Sequence, residues 1–210
     1  MFGIDTVKLT LSKPKVLLYK EKELMRKNFG AKPYSYPQPV FIIATYNDDG
    51  TPNAMNAAWG GISEENELSI CISAGHKTTE NILTKKAFTV SMADVPNMAA
   101  CDYVGIVSGN SVPDKFARAG FHDVRSEFVD APLIAELGIA LECRLKSYDV
   151  ETCRLIGEIV NISVDERMLD KNGKVDITKV RPITFDPFNN TYVALGEVAG
   201  QAFDAGKALK

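Results

Sequence analysis

Short apolar runs separated by polar turns set the rhythm of this chain. Residues 40–45, VFIIAT, are continuously apolar and rich in β-branched side chains, the mark of a buried strand. Asn47-Asp48-Asp49-Gly50 follows, and Asn, Asp and Gly all tolerate the positive φ of a tight turn. Residues 40–46 and 53–60 are therefore predicted to pair as a hairpin. Pro52, which has no N–H to donate, stands at the start of the second strand. Glu64, Glu65 and Asn66 turn the chain again, and 67–73 returns as a third strand. Three successive antiparallel strands predict a meander, the usual opening of a barrel or sandwich.

The period then changes. Thr78 or Thr79 is the natural N-cap of a helix over TTENILTKK, with Ile82 and Leu83 inward and Lys85 and Lys86 complementing the dipole. Residues 87–93, AFTVSMA, form the next buried strand. Pro96 opens a helix with Met98, Cys101, Val104 and Ile106 on one face, stopped at Ser108 and Gly109. A second short helix over 114–118 ends at Gly120, and 128–137 crosses back. Residues 138–147 and 152–162 alternate as two long strands. Ile139, Leu141 and Cys143 share a face of one, and Leu155, Gly157 and Ile159 share a face of the other. Gly157 marks a bend or the close approach of another group. After Asp165 the chain is polar until Pro182. Phe185, Phe188 and residues 192–195 then make a last aromatic-rich strand, and 197–208 is predicted to be a terminal helix. Ahead of all this lies an arm, 1–36, with strand-like alternation at 7–11 and an apolar run at 16–18, expected to lie over the body. The remainder, 37–210, reads as a single α+β domain dominated by antiparallel strands, with an extension after about 165.

Composition narrows the chemistry. A chain of 210 residues can bury roughly 70% of its unfolded surface, enough for a core with a ligand pocket. A net charge of −3 argues against a general nucleic-acid binder. No run of 18 apolar residues exists and the N-terminus lacks a signal-peptide core, so no membrane span is expected and the cytoplasm is the expected compartment. The four cysteines form no CxxC pair and read as reduced, mostly buried thiols. His76 and His122 stand near none of them, so no metal site is expected. The dinucleotide pattern GxGxxG and the hydrolase pattern GxSxG are both absent. The segment 200–207 has one residue too many between its glycines for a phosphate loop, with Ala208 where Ser or Thr is required. Two histidines leave little room for acid–base chemistry by the protein alone. No catalytic residue is assigned, and a cofactor is expected to carry the hard step.

One stretch concentrates polar groups where a helix begins. Ser73, His76, Lys77, Thr78, Thr79 and Asn81 surround the turn into TTENILTKK. Unpaired N–H groups and the macrodipole make such a turn attractive to anions. By themselves these residues fit either an anion site or a well-capped helix. Upstream, Asn53 and Asn56 interrupt an otherwise apolar strand that also carries Ala54, Met55 and the lone Trp59. Amides facing a pocket can read the C=O and N–H edge of a heterocycle. Asn53 is also satisfied easily by a turn, and Trp59 by a core. Lys115 is by default a lysine on a helix surface.

Taken in order, these pieces resemble the flavin reductase-like, FMN-binding split-barrel family, most closely its flavoredoxin-type members. The matching pieces are Pro39-Val40, Asn47-Asp48-Asp49-Gly50, Asn53-x-Met55-x-x-x-Trp59 and Ser73-x-x-His76-Lys77-Thr78-Thr79-x-Asn81-Ile82. Phe88-x-Val90-Ser91, Ser108-Gly109 with Asp114-Lys115-Phe116, Ala131-Pro132-Leu133-Ile134 and Leu155-Ile156-Gly157-Glu158-Ile159 follow. The resemblance implies a six-stranded split barrel, a homodimer, and FMN at or near the dimer interface. It implies that the 73–81 elbow takes the FMN phosphate and that Asn53, Ala54, Met55, Asn56 and Trp59 lie beside the ring and ribityl chain. It also brings Lys115 toward the flavin, and makes NADH, NADPH or a redox partner protein the source of electrons.

Overall fold

The computed structural model describes residues 26–209. The strand-like alternation at 7–11 and the apolar run at 16–18 lie outside the described residues. The chain divides into two units, Met1–Lys32 and Pro33–Lys210, and the second carries the architecture below.

Its strands and helices follow the sequence as β1 (Gln38–Pro39), β2 (Phe41–Tyr46), β3 (Pro52–Ala57), β4 (Gly60–Glu64), β5 (Glu67–Cys71), α1 (Lys77–Lys85), β6 (Ala87–Met92), α2 (Met98–Ile106) and α3 (Lys115–Arg118). Then come β7 (Asp123–Arg125), β8 (Pro132–Ile134), β9 (Ile139–Asp149), β10 (Arg154–Val164), α4 (Ile177–Val180), β11 (Ile183–Asp186) and β12 (Thr191–Ala194). Seven strands pair in the order β3-β2-β6-β9-β10-β5-β4, each pair antiparallel. Laid flat, the outer strands β3 and β4 would stand roughly 29 Å apart, six spacings of about 4.8 Å. Yet only Ala58 and Trp59 join them, and such a link spans at most about 10 Å. The sheet must therefore curl until its two edges meet. No ladder joins β3 to β4, so the seam stays open as a split barrel, of seven strands rather than the expected six.

This topology corrects the expected meander. The strand placed at 53–60 breaks at Ala58, and its second part, β4, pairs with β5. On its other side β5 pairs with β10, more than eighty residues later in the chain. Adjacent turn signals read local hairpins correctly but carry no information about which strand closes a barrel.

The unbroken apolarity of 40–45 has a direct cause. Phe41 and Ile43 enter the barrel core with Leu68, Ile70, Ile82, Phe88, Leu141 and Leu155. Val40, Ile42 and Ala44 face a second core with Val104, Phe116, Phe121 and Ile134, under α2 and α3. A strand covered on both faces has no place for polar alternation. The face expected for α2 is corrected: Cys101 and Val104 are buried, but Met98 and Ile106 are exposed. At roughly 100° per residue, position 98 falls about 90° from the centre of the stripe defined by 101 and 104, and position 106 falls almost opposite it. The terminal helix expected at 197–208 is only a 3₁₀ turn at Ala205–Leu209 with no buried residue. Gly196, Gly200 and Gly206 raise the cost of helix there, and no packing offsets it. The last aromatic strand is instead a hairpin of β11 and β12, joined to β1 in a separate sheet. Among the described residues no helix is long and apolar enough to cross a membrane, and no cluster of three or more His, Cys, Asp or Glu could hold a metal ion.

Gly157 does mark a close approach. It is buried on β10 at a register shift, and a Cβ there would stand 2.4 Å from Cζ of Phe88, itself fully buried. Gly157→Ala is expected to destabilise the fold by about 1–3 kcal/mol through overpacking, read from the denaturant midpoint. Adding Phe88→Leu should recover part of that loss. A neutral Gly157→Ala would show that the ring moves aside freely.

Candidate functional site

The open seam is a cleft. Met55, Asn56, Ala57, Ala58 and Trp59 form one wall, Cys71, Ile72, Ser73 and His76 the other, with Cys153 at the edge; the cleft encloses about 370 Å³. Trp59 is 58% exposed. It is no core residue, because it occupies the two-residue corner where the chain jumps from one sheet edge to the other. Its carbonyl accepts the Cys71 N–H at 2.8 Å, which fixes the corner against β5.

α1 begins directly at the cleft. His76 is its N-cap, in extended conformation, with no side-chain capping bond. This corrects the expectation that Thr78 or Thr79 caps the helix. Both threonines lie inside the first turn with their hydroxyls engaged elsewhere. Thr79 Oγ1 donates to the Ser73 carbonyl at 2.8 Å, and Thr78 Oγ1 accepts from Asn53 Nδ2 at 2.7 Å. The amides of the first turn are thus left for an outside acceptor. Exposed Ser73, exposed His76 and half-buried Lys77 surround that end.

The predicted residues fall into two groups. Ser73, His76, Trp59, Met55 and Asn56 line the cleft, and Lys77 lines an adjoining hollow of about 380 Å³ with Asp49, Gly109 and Asn110. Lys77 Nζ sits 2.9 Å from Glu80 across one helical turn. The others stand behind the surface. Asn53, Thr78, Thr79 and Asn81 are all buried. Asn81 Nδ2 donates to Thr45 Oγ1 at 3.0 Å and to Asn47 Oδ1 at 2.8 Å. Together with the Asn53–Thr78 bond, this staples the start of α1 to the β2–β3 hairpin. Ala54 is fully buried in the second core, so only its backbone can face the cleft. Asn56, half-buried, donates to the Cys101 carbonyl at 3.2 Å and ties β3 to α2.

Lys115 is not the surface lysine expected by default. It is 3% exposed, and Nζ donates to the carbonyls of Val104 and Val107, each at 2.9 Å. Those carbonyls end α2, so a buried ammonium closes the negative end of a helix dipole. Burial pushes its pKa down to about 8.

Residues that sequence reasoning missed are Cys71, Ile72 and Cys153 in the cleft wall, and Asn110, whose Nδ2 donates to the Gly75 carbonyl at 3.0 Å and holds the elbow from outside. Cys71 lies two residues before Ser73 and was within reach of the pattern. Cys153 and Asn110 arrive from remote segments with no local signal.

The donor set fits a flavin mononucleotide. An uncapped helix start with a hydroxyl, an imidazole and an ammonium suits a dianionic phosphate, and an indole with a methionine thioether suits a planar ring. Among the described residues, Oδ1 of Asn53 is buried without a partner, directly against Gly109, where a Cβ would stand 2.7 Å from it.

Comparison with known proteins points the same way. A family profile described as a flavin reductase like domain matches residues 34–179. Flavoredoxin of Desulfovibrio vulgaris (Miyazaki F) is 38% identical, with all of its chain aligned to 87% of this one at a TM-score of 0.82. Flavoredoxin from Methanosarcina acetivorans is 29% identical, with all of its chain aligned to 90% of this one at a TM-score of 0.76. An FMN-binding domain of a flavin reductases-like enzyme from Shewanella baltica OS155 is 19% identical over 78% of this chain and 89% of its own, and shares the fold at a TM-score of 0.69.

Lys115 sets a pH dependence. Folded, it loses its proton near pH 8, and unfolded near the ordinary 10.5. Between these values the unfolded chain binds the additional proton, so stability from this group rises with pH across that window. The rise is expected to reach up to about 3 kcal/mol and to vanish in Lys115→Met. Denaturant midpoints of both proteins at about pH 8 and about pH 10.5 check it.

Proposed function

Because this chain belongs to the flavin reductase-like family, we propose that its open seam holds FMN and that the protein moves electrons through it. The observation that supports this most directly is one cleft bounded by Trp59 and Met55 on one wall and by Ser73 and His76, at an uncapped helix start, on the other. FMN, when bound, supplies electron transfer in one- or two-electron steps.

The chain's own residues divide the work of holding it. Ser73, His76, Lys77 and the first amides of α1 meet the phosphate. Thr78, Thr79, Asn53 and Asn81 hold that end rigid from behind, since each of their hydrogen bonds pins the elbow to itself or to the β2–β3 hairpin. Trp59 and Met55 flank the ring and restrict water, and Asn56 offers an amide to its polar edge. Lys115 acts through α2, whose C-terminal carbonyls it neutralises. No side chain is assigned an acid–base role.

Electrons come from NADH, NADPH or a protein donor, and the likeness to a flavoredoxin over 87% of this chain favours the protein donor. In this reading the protein works in the cytoplasm as a homodimer. The exposed indole and the neighbouring apolar groove of Pro37, Pro39, Gly60 and Met92 offer the self-contact. Residues from 37 onward act as the flavin-binding domain, with 1–36 and the segment after about 165 as appendages.

Purified protein should be yellow. FMN should bind at least ~100-fold more tightly than riboflavin, about 2.7 kcal/mol for the phosphate, and Lys77→Ala should narrow that ratio about tenfold. Equal affinity for both ligands would remove the phosphate from the elbow. Anaerobic mixing with each nicotinamide then separates the donors: prompt bleaching means a reductase, and none means a carrier fed by protein.

A further inference from the structure

Two thiols share the cleft and are given no part in the flavin-holding proposed above. Cys71 ends β5 and Cys153 immediately precedes β10, and the pairing of those strands sets Cys71 opposite Arg154. The Ile72 N–H donates to the Cys153 carbonyl at 2.9 Å. Cys71 Sγ lies 3.9 Å from the carbonyl oxygen of Thr152, the residue before Cys153. Directly paired residues have Cα atoms about 4.5–5.5 Å apart. A neighbour of the paired residue therefore falls near the window of about 4.4–6.8 Å that a disulfide spans.

Three further observations set this pair apart. Both thiols line the same cleft, and both crowd the Tyr148 phenol, whose pKa is raised by burial first and by these neighbours next. Cys153 holds a φ of 55°, a left-handed conformation costly for any residue with a Cβ. By contrast Cys101 and Cys143 are buried, and burial pushes both up to about 12, which keeps them inert. The expectation of mostly buried thiols therefore holds for those two and fails for the cleft pair.

We propose that Cys71 and Cys153 form a reversible dithiol–disulfide centre at the cleft, exchanging two electrons with low-molecular-weight disulfides of the glutathione class. The exposed Cys71 thiolate attacks one sulfur of the disulfide. A Cys71–glutathione bond forms, the S–S bond of the reagent breaks, and the first glutathione thiolate leaves with a proton. The Cys153 thiolate then attacks the Cys71 sulfur, the internal disulfide forms, and the second glutathione leaves with the other proton. One external disulfide is reduced to two thiols and the protein dithiol loses two electrons. Excess reduced glutathione runs the sequence backwards.

The test uses the full chain equilibrated in buffers of reduced and oxidised glutathione, with thiol titration, mass spectrometry and emission from Trp59, the chain's single tryptophan. Expected are loss of two of the four thiols, a mass lower by two hydrogens, and one linked peptide pair containing Cys71 and Cys153. Trp59 emission should fall in step with oxidation. Cys153→Ser should instead accumulate glutathione on Cys71, and Cys71→Ser should form no internal bond. Wild-type chain that collects glutathione on Cys71 without internal linkage, or that keeps all four thiols, overturns the proposal. Thiol count, mass and peptide linkage do not depend on flavin, so a protein that binds no FMN leaves this test intact, and a failed test leaves the FMN reading standing.

Discussion

A two-residue connection governs this molecule. Ala58 and Trp59 carry the chain from one edge strand of a seven-stranded sheet to the other, and a link that short is compatible only with a sheet rolled almost onto itself. Rolling removes exposed sheet edges nearly everywhere, which matters because an unpaired edge invites other chains. At the seam itself the ladder stays open. The same covalent constraint that makes the barrel therefore makes its one gap, and it stations the indole at the lip.

The elbow after β5 exploits that gap. A helix start facing solvent would normally be closed by its own cap, and here Thr78 and Thr79 sit two and three residues past the cap position at His76. Their hydroxyls bind Asn53 and the Ser73 carbonyl instead, while Asn81 reaches across to Thr45 and Asn47. Buried polar groups are costly unless paired. Each of these pairs is therefore also a geometric restraint, holding the uncapped amides where a ligand can use them. The affinity of such a site rests on rigidity gained before binding.

Charge is handled by the same logic on the far side of β3. α2 ends against the interior, and its last carbonyls would be left without donors. Lys115, delivered by α3, fills that position. Its burial lowers its pKa, yet the carbonyl pair and the dipole favour the charged form, so the residue is held between opposing demands. Glu142, buried on β9, is satisfied comparably by Ser126, Asn161 and Ser163. These networks tie remote segments together, where apolar packing alone would leave register less defined.

Local periodicity and turn chemistry determined a good deal by themselves. Residues 40–45 read as a buried strand, Asn47 to Gly50 as a turn, 138–147 with 152–162 as a long hairpin, and Gly157 as a point of close approach. The ordered motifs also named the family. What they could not determine was partnership over distance. That β5 pairs with β10, that Cys153 lines the same cleft as Cys71, that Lys115 turns inward to α2, and that Thr78 and Thr79 support the elbow from behind all depend on closure of the barrel. A residue's own neighbours in sequence fix its propensity, but burial and hydrogen-bond partners are set by segments as far as 150 residues away. Only the closed tertiary structure brings those segments together.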